Sequence, residues 1–207
     1  MSNGDDLVAH LRRGGDAALA DFFEQHRQQL RRMVDVRLDQ RVMGRVDPSD
    51  VLQEAFLDAS RQLDDYLTAP PMPPFLWLRF LTGVRLMATH RRHLGTQLRD
   101  ARHEVPLRRE AIPGVCSNSA SMQFAGHLTS PSLAAARLEL QARLRALLDG
   151  MERLDREILS LRHLEELSNN EAAAELGITA AAASKRYIRA LKRLKKAIAD
   201  TPGLSES

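Results

Sequence analysis

Residues 168–179 constrain the fold more tightly than any other segment of the 207-residue chain. Ser168 can cap the start of a helix, and Gly177 suits the left-handed backbone conformation that closes a short one. Thr179 can then cap a second helix directly afterwards. Because Ala173 is small, two helices can cross closely at this point. The segment therefore predicts a helix-turn-helix.

The helix that follows, from about Ala180 to Ile198, separates apolar and basic residues on different faces. Its inward residues recur at intervals of three or four: Ala183, Tyr187, Leu191, Leu194 and Ile198. No acidic residue interrupts its basic residues, which predicts contact with phosphates. A basic helix that merely faces solvent is the competing interpretation.

The two ends of this basic helix are expected to contact DNA differently. Residues near its N-terminal end reach base edges, whereas later cations hold phosphates. The candidate base-contacting residues are Ser184, Lys185 and Arg186, and the candidate phosphate-binding residues are Arg189, Lys192 and Arg193.

Composition extends the helical expectation to the whole chain. Hydrophobic residues make up 43% of the sequence but aromatic residues only 4%, and the residues that recur throughout are Leu, Ala, Arg, Glu and Gln, which favour helices. No segment shows a strand pattern. We therefore predict an all-α protein of two small helical domains joined by a flexible linker, the C-terminal domain carrying the helix-turn-helix.

Local signals place helices in the N-terminal half. The pair Gly14-Gly15 predicts a break in a helical pattern. Asp47 can cap a later helix that has Pro48 in its first turn, and this helix should end before Pro70.

Proline and periodicity define the domain boundaries. Four prolines within 70–74 precede a helical pattern over 75–93. Sustained periodicity is then lost while Pro, Gly, Ser and Asn accumulate. The predicted organisation is an N-terminal domain over 1–95, a linker over 96–131 and a C-terminal domain over 132–200.

The C-terminal domain resembles the corresponding domain of bacterial sigma factors, particularly the extracytoplasmic-function group. The resemblance is carried by Leu154-Asp155-Arg156-Glu157-Ile158-Leu159, by Leu167-Ser168, by the stretch from Ala172 to Gly177 and by Ala183-Ser184-Lys185-Arg186. In that family this domain recognises the minus-thirty-five promoter element. The combination of motifs is specific.

Residues 50–57 resemble the family's core-polymerase-binding helix, which docks on the clamp coiled coil of the largest polymerase subunit. Their acidic residues would form a negative rim complementary to a basic coiled coil. The alternative is an ordinary amphipathic helix with acids near its N-terminal end. The resemblance implies that core polymerase binds Asp50, Gln53, Glu54 and Phe56.

Residues 75–78 and the arginines after them resemble the segment that recognises the minus-ten element and opens the strands. Unpaired bases need stacking or apolar pockets and a cationic path for the backbone. The implied DNA-binding residues are Trp77, Arg79, Arg85, Arg91 and Arg92. Core packing of Trp77 is the alternative. Val84 stands where the family often has Asn, which indicates a divergent subgroup.

The paired resemblance implies a sigma factor that binds core RNA polymerase and directs promoter-specific transcription initiation. Promoter DNA and core polymerase are the expected partners, and an anti-sigma factor is a candidate third. The alternative is a stand-alone helix-turn-helix regulator that binds duplex operators through the C-terminal domain. It would not need polymerase.

Other function classes find no support in the residues. The seven histidines form no metal-ligand arrangement, and there is no Gly-rich phosphate loop or nucleophile elbow. We therefore expect no enzyme activity, no metal and no cofactor. Cys116, the single cysteine, is expected to be a free thiol. No stretch is apolar enough to span a bilayer, so we expect a cytoplasmic protein without membrane insertion.

Overall fold

The computed structural model describes residues 3–94, 112–128 and 134–200, and the regular elements of these ranges are all helices. The all-α prediction is confirmed. The elements are α1 (Asn3–Arg37), α2 (Pro48–Thr68), α3 (Pro74–Leu94), α4 (Ser117–Leu128), α5 (Ala134–Asp149), α6 (Arg153–Leu159), a π-helical turn (Ser160–Leu164), α7 (Asn169–Leu176) and α8 (Ala180–Ala199).

These residues form two compact units. Unit 1 contains the described residues of 3–35 and 41–113, and unit 2 contains 36–40 together with the described residues from Gly114 onward. The last residues of α1 thus belong to unit 2 rather than to the unit in which α1 begins.

The glycine pair breaks α1 as predicted. Gly15 has φ 53° and ψ −137°, so the backbone there is not helical although both flanking segments are. A residue with a Cβ would be strained at this positive φ. The part of α1 that follows Gly15 and belongs to unit 1 has a buried apolar face, which includes Leu19, Phe22, Leu30 and Met33.

Helix α2 begins and ends where its local signals predict. The Asp47 carboxylate accepts a hydrogen bond of 2.8 Å from the Ser49 backbone N–H, and Pro48 is the first helical residue. Asp and Pro at these two positions satisfy or remove N–H groups that have no partner within the helix. The helix ends at Thr68, and α3 begins at Pro74 and packs against it.

The predicted linker over 96–131 is wrong for residues 117–128, which form helix α4 and pack against α5. Asn118, Ser119 and Ser121, which favoured a loop, are buried and hydrogen-bonded. Ser119 Oγ donates to the Leu38 carbonyl at 2.9 Å, and Ser121 Oγ donates to the Asn118 carbonyl at 2.8 Å. Apart from residues 36–40, unit 2 consequently begins at Gly114 instead of 132. The predicted linker residues 96–111 and 129–131 lie outside the described residues.

A buried charge cluster holds unit 2 together. The Arg37 guanidinium donates from one nitrogen to Glu157 and to Glu165, at 2.8 Å in each case. Glu157 also accepts from the Val115 backbone N–H at 2.9 Å, and Glu165 accepts from Ser160 Oγ at 2.9 Å. The interior of unit 2 therefore contains paired charges whose hydrogen bonds come from distant parts of the chain.

Arg37 stays charged in this cluster. Burial alone lowers its pKa, but the charges of Glu165 and Glu157 and their hydrogen bonds raise the pKa above its ordinary value. The guanidinium therefore supplies a permanent positive charge between the two carboxylates that it contacts.

We expect Arg37→Ala to lower the stability of unit 2 by about 3–5 kcal/mol, because it leaves two buried carboxylates without their counterion. Hydrogen exchange of α6 amides across a urea series measures this. Arg27→Ala is the matched control, since Arg27 pairs with Glu24 on the exposed face of α1, where a pair contributes about 1 kcal/mol or less. Equal effects of the two substitutions would show that the buried cluster contributes no more than a surface pair.

Candidate nucleic-acid interface

The helix-turn-helix forms as the sequence predicts. Ser168 and Glu171 make a capping box, in which each side chain accepts a hydrogen bond from the backbone N–H of the other residue. Gly177 closes α7 at φ 65°, and Thr179 Oγ1 accepts from the Ala182 N–H to start α8. Ala173 is buried at this turn. Ser168, Glu171, Gly177 and Thr179 thereby fix the sharp turn between α7 and α8.

Helix α8 packs inward along the expected face, with one residue that the sequence prediction omitted. Ala183 and Leu194 are buried, and Ala190 lies buried between them. The other predicted inward residues, Tyr187, Leu191 and Ile198, are half-buried. Since the contacting residues are mainly alanine and leucine, α8 lies close to α6 and α7, against both of which it packs.

Beside this apolar face, a single carboxylate of α6 contacts three arginines of α8. Asp155 is only 1% exposed. Its oxygens accept from Arg186 NH1 at 2.9 Å and from Arg189 Nε and NH2 at 3.2 and 2.8 Å, and Arg193 NH1 lies 3.5 Å away. We call these four residues the arginine clamp. Glu152, an exposed residue, also accepts from Arg186 at 3.1 Å.

The clamp keeps its carboxylate ionised. Burial raises the pKa of Asp155, but the hydrogen bonds from Arg189 and Arg186 outweigh this effect and hold the pKa below its ordinary value. A negative charge therefore stands permanently beneath the basic edge of α8 at neutral pH.

A different edge of α8 is open to solvent. Lys185, Ile188, Lys192 and Lys195 follow one another at intervals of three or four and are all exposed, and Ile188 is 53% exposed. We call them the lysine stripe. A large apolar residue among exposed cations on one helix face can contact a base methyl group while its neighbours bind phosphates.

Five of the six DNA-binding residues predicted on α8 are therefore divided between two environments, and the sixth, Ser184, lies in neither. Lys185 and Lys192 lie in the lysine stripe, whereas Arg186, Arg189 and Arg193 lie in the arginine clamp. Ser184 donates to the Asn169 side-chain oxygen at 3.2 Å. The sequence prediction missed Ile188 and the clamp. Helical spacing from Lys185 identifies the first, but no local signal identifies the second because Asp155 is 31 residues from Arg186.

In unit 1 the prediction that Trp77 and Arg79 meet DNA is wrong for this structure, because both are buried. Trp77 is 3% exposed and stacks on Tyr66, with ring centroids 4.1 Å apart and 12° between the planes. Arg79 is 1% exposed. The aromatic-basic pattern of α3 thus places its tryptophan in the core, which was the alternative interpretation.

The remaining arginines of α3 are more accessible. Arg85 binds both oxygens of Asp58 and lies 3.7 Å from Glu54. Arg92 NH1 lies 3.8 Å from Glu54, and Arg91 is exposed. The end of α3 therefore presents cations, of which Arg92 is paired with an acidic residue of α2.

The four predicted polymerase-binding residues lie along α2 with different exposure. Asp50 and Gln53 are exposed, and Glu54 is half-buried. The half-buried Phe56 ring meets Phe23 edge-on, with centroids 5.1 Å apart. Leu57, which the sequence prediction missed, is 46% exposed. Its position four residues after Gln53 places it on the same face as Asp50 and Gln53.

Two hollows flank this face of α2. One of about 300 Å³ is lined in part by Asp50, Gln53, Glu54 and Leu57. The other, of about 440 Å³, is lined in part by Gln53 and Phe56. The exposed face of α2 thus combines charge, apolar surface and concave shape, a combination that suits contact with another protein.

Two other kinds of feature are absent from the described part of the chain. No group of three or more His, Cys, Asp or Glu side chains there is placed to hold a metal ion. Among residues 3–94, 112–128 and 134–200, no helix has the length and apolar character needed to cross a membrane.

Comparison with known families identifies the helix-turn-helix region. Residues 141–194, which run from α5 into α8, match the family model for sigma-70 region 4. The matched segment contains the lysine stripe up to Lys192 and the whole arginine clamp. The curated proteins contain no sequence that matches the chain.

The fold of the chain is also similar to a solved structure, that of CnrH in complex with the cytosolic domain of CnrY. The similarity has a TM-score of 0.51 at 22% sequence identity and covers 94% of this chain and 96% of CnrH. The likeness extends over both units and shows a shared helical fold.

Because Trp77 is buried against Tyr66, we expect Trp77→Ala to lower the free energy of unfolding by about 3–5 kcal/mol. Thermal melting measures the loss, and Trp77→Phe should recover most of it by keeping an aromatic ring against Tyr66. An unchanged melting temperature in the alanine variant would contradict the buried position of Trp77. Trp77 would then again be a candidate for contact with bases.

Proposed function

We propose that this chain is a sigma factor that binds core RNA polymerase and directs promoter-specific transcription initiation. The observation that carries the proposal is the match of residues 141–194 to sigma-70 region 4, at the segment where an exposed basic edge of α8 follows a capped helix-turn-helix. The likeness of the whole chain to CnrH supports it at the level of the fold.

In this proposal, the lysine stripe of α8 enters the major groove at the minus-thirty-five element. Lys185 lies near the N-terminal end of the helix, where side chains reach base edges, and Lys192 lies two turns later. Ile188 between them would contact a thymine methyl group. Arg186, which is bonded to two carboxylates, is a weaker candidate for base contact than Lys185.

Unit 1 would supply the contact with core polymerase. The proposed docking surface consists of Asp50, Gln53, Glu54, Phe56 and Leu57 on α2, with the clamp coiled coil of the largest subunit as its partner. Leu57 gives it an apolar centre, and the acidic residues give it a polar rim. Apolar centres contribute most of the affinity of protein interfaces, whereas rim charges add selectivity.

Fewer residues are proposed to contact the minus-ten element than the sequence pattern indicated. We propose that Arg91 and Arg92 at the end of α3 bind the DNA backbone there, because both are exposed. Arg85 is held by Asp58, so its role is to orient α2 against α3.

The likeness to CnrH also raises the question of a regulatory partner. That structure contains the cytosolic domain of CnrY. We propose by analogy that an anti-sigma factor binds this chain, and that the chain works in the cytoplasm.

The proposal predicts that run-off transcription from a promoter library depends on adding this chain to core polymerase. Sigma factors act by placing polymerase on promoters, so core enzyme alone should give only non-specific transcripts. Sequencing the transcript starts measures the effect, and they should share upstream elements. A chain that binds duplex DNA tightly alone, yet neither co-elutes with core polymerase nor supports specific starts, is instead the stand-alone regulator.

We expect Leu57→Asp to weaken binding to core polymerase by about tenfold or more, because it places a charge at the apolar centre of the docking surface. Titration of labelled core enzyme measures the affinity. Met43→Asp is the control, since Met43 is also an exposed apolar residue of unit 1 but lies outside α2. If both folded variants bind core polymerase as well as the unaltered chain does, this face of α2 is not the docking site.

A further inference from the structure

The arginine clamp joins the interior of unit 2 to the basic edge of α8. Arg186, Arg189 and Arg193 are three and four residues apart, so they lie on one edge of the helix. Their common acceptor, Asp155, is buried on a different helix. Three cations of the proposed DNA-binding helix therefore take their positions from one carboxylate that is itself fixed by its burial.

The geometry leaves part of the Arg189 and Arg193 guanidinium groups available. Arg189 uses Nε and NH2 on Asp155, so its NH1 group is not occupied by this carboxylate. The side chains of Arg189 and Arg193 are 51% and 50% exposed despite the contact. Arg189 and Arg193 are thus held at their inner edges and open at their outer edges.

Holding an arginine in this way has a consequence for binding. A free arginine side chain loses considerable rotamer freedom when it is immobilised on a ligand. An arginine already fixed by a buried carboxylate has lost that freedom on folding, so its remaining donors meet a matching acceptor at lower cost. The same fixing removes its ability to follow phosphates at other positions.

We propose that Asp155 is a positioning residue for DNA recognition, which fixes the guanidinium groups of Arg186, Arg189 and Arg193 so that they favour one DNA geometry over others. The inference rests on the proposed function and adds to it a determinant of specificity that does not itself touch DNA. The lysine stripe supplies the attraction common to all sequences, and the clamp supplies discrimination.

Glu152 provides an internal comparison. Glu152 and Asp155 each offset one positive charge on the surface of α8. The Glu152 side chain, however, is 56% exposed, and its partner is Arg186. Substituting either acid by its amide changes the net charge equally. Only the Asp155 substitution releases Arg189 and Arg193.

The test compares the full-length chain with its Asp155→Asn and Glu152→Gln variants. For each, fluorescence anisotropy measures the affinity for the best duplex selected from a random library by the unaltered chain, and for a scrambled duplex of equal length. We expect Asp155→Asn to lower the ratio of the two affinities about tenfold, with an unchanged or higher affinity for the scrambled duplex. Glu152→Gln should leave the ratio within about twofold.

These readouts separate positioning from stability. A substitution that only unfolds part of the sample lowers both affinities by the same factor and leaves their ratio unchanged. That result, or an equal change of the ratio in both variants, overturns the proposal. If Asp155→Asn does not fold, Arg189→Lys replaces it, because lysine keeps the charge but cannot make the two-nitrogen contact with Asp155. The same fall in the ratio is then expected, and an unchanged ratio overturns the proposal.

A second measurement needs no DNA. The Arg189 Nε–H should exchange slowly with solvent in the unaltered chain and in Glu152→Gln, and fast in Asp155→Asn, as followed by nitrogen-15 NMR. Equally fast exchange in all three shows that Asp155 does not fix this arginine. If the unaltered chain shows the slow exchange but binds no duplex, alone or with core polymerase, the proposed function has failed while the clamp stands.

Discussion

The interior of unit 2 contains carboxylates, and the structure depends on the arginines that neutralise them. A buried carboxylate without a counterion is strongly destabilising, so its partner must be fixed in place as firmly as an apolar core residue. Glu157 and Glu165 meet this requirement through Arg37, Val115 and Ser160. Because Arg37 comes from the end of α1, residues 36–40 are part of unit 2 even though more than 70 residues separate them from Gly114.

A buried carboxylate paired with arginine also occurs at the surface of unit 2, where it has a different effect. Asp155 is as buried as the glutamates, but its partners lie on the surface of α8. In the interior cluster the arginine and both glutamates are buried, so the cluster stabilises the unit. At Asp155 the buried charge fixes cations that remain half-exposed, so the requirement for neutralisation also determines the arrangement of a surface.

Sequence patterns predicted the features that depend on residues close together in the chain and missed those that depend on residues far apart in the chain. The caps at Asp47, Ser168 and Thr179 and the left-handed Gly177 were predictable because each involves residues within a few positions. The linker assignment failed at α4, since serines typical of loops are satisfied there by buried hydrogen bonds, one of them to residue 38. Trp77 was assigned to DNA contact on a local aromatic-basic pattern, whereas its stacking on Tyr66 requires two helices to be packed.

The division of cations on α8 follows from the different chemistry of lysine and arginine. Lysine carries a compact, strongly hydrated charge on a flexible stem, which suits an exposed position facing phosphates of variable location. Arginine presents a planar fork that matches a carboxylate through two parallel hydrogen bonds, and Arg189 uses this fork on Asp155. Lys185, Lys192 and Lys195 accordingly lie in the exposed stripe, while Arg186, Arg189 and Arg193 surround the buried acid. The basic residues of this helix are therefore not equivalent, because only some of them are free to adjust their positions to the DNA.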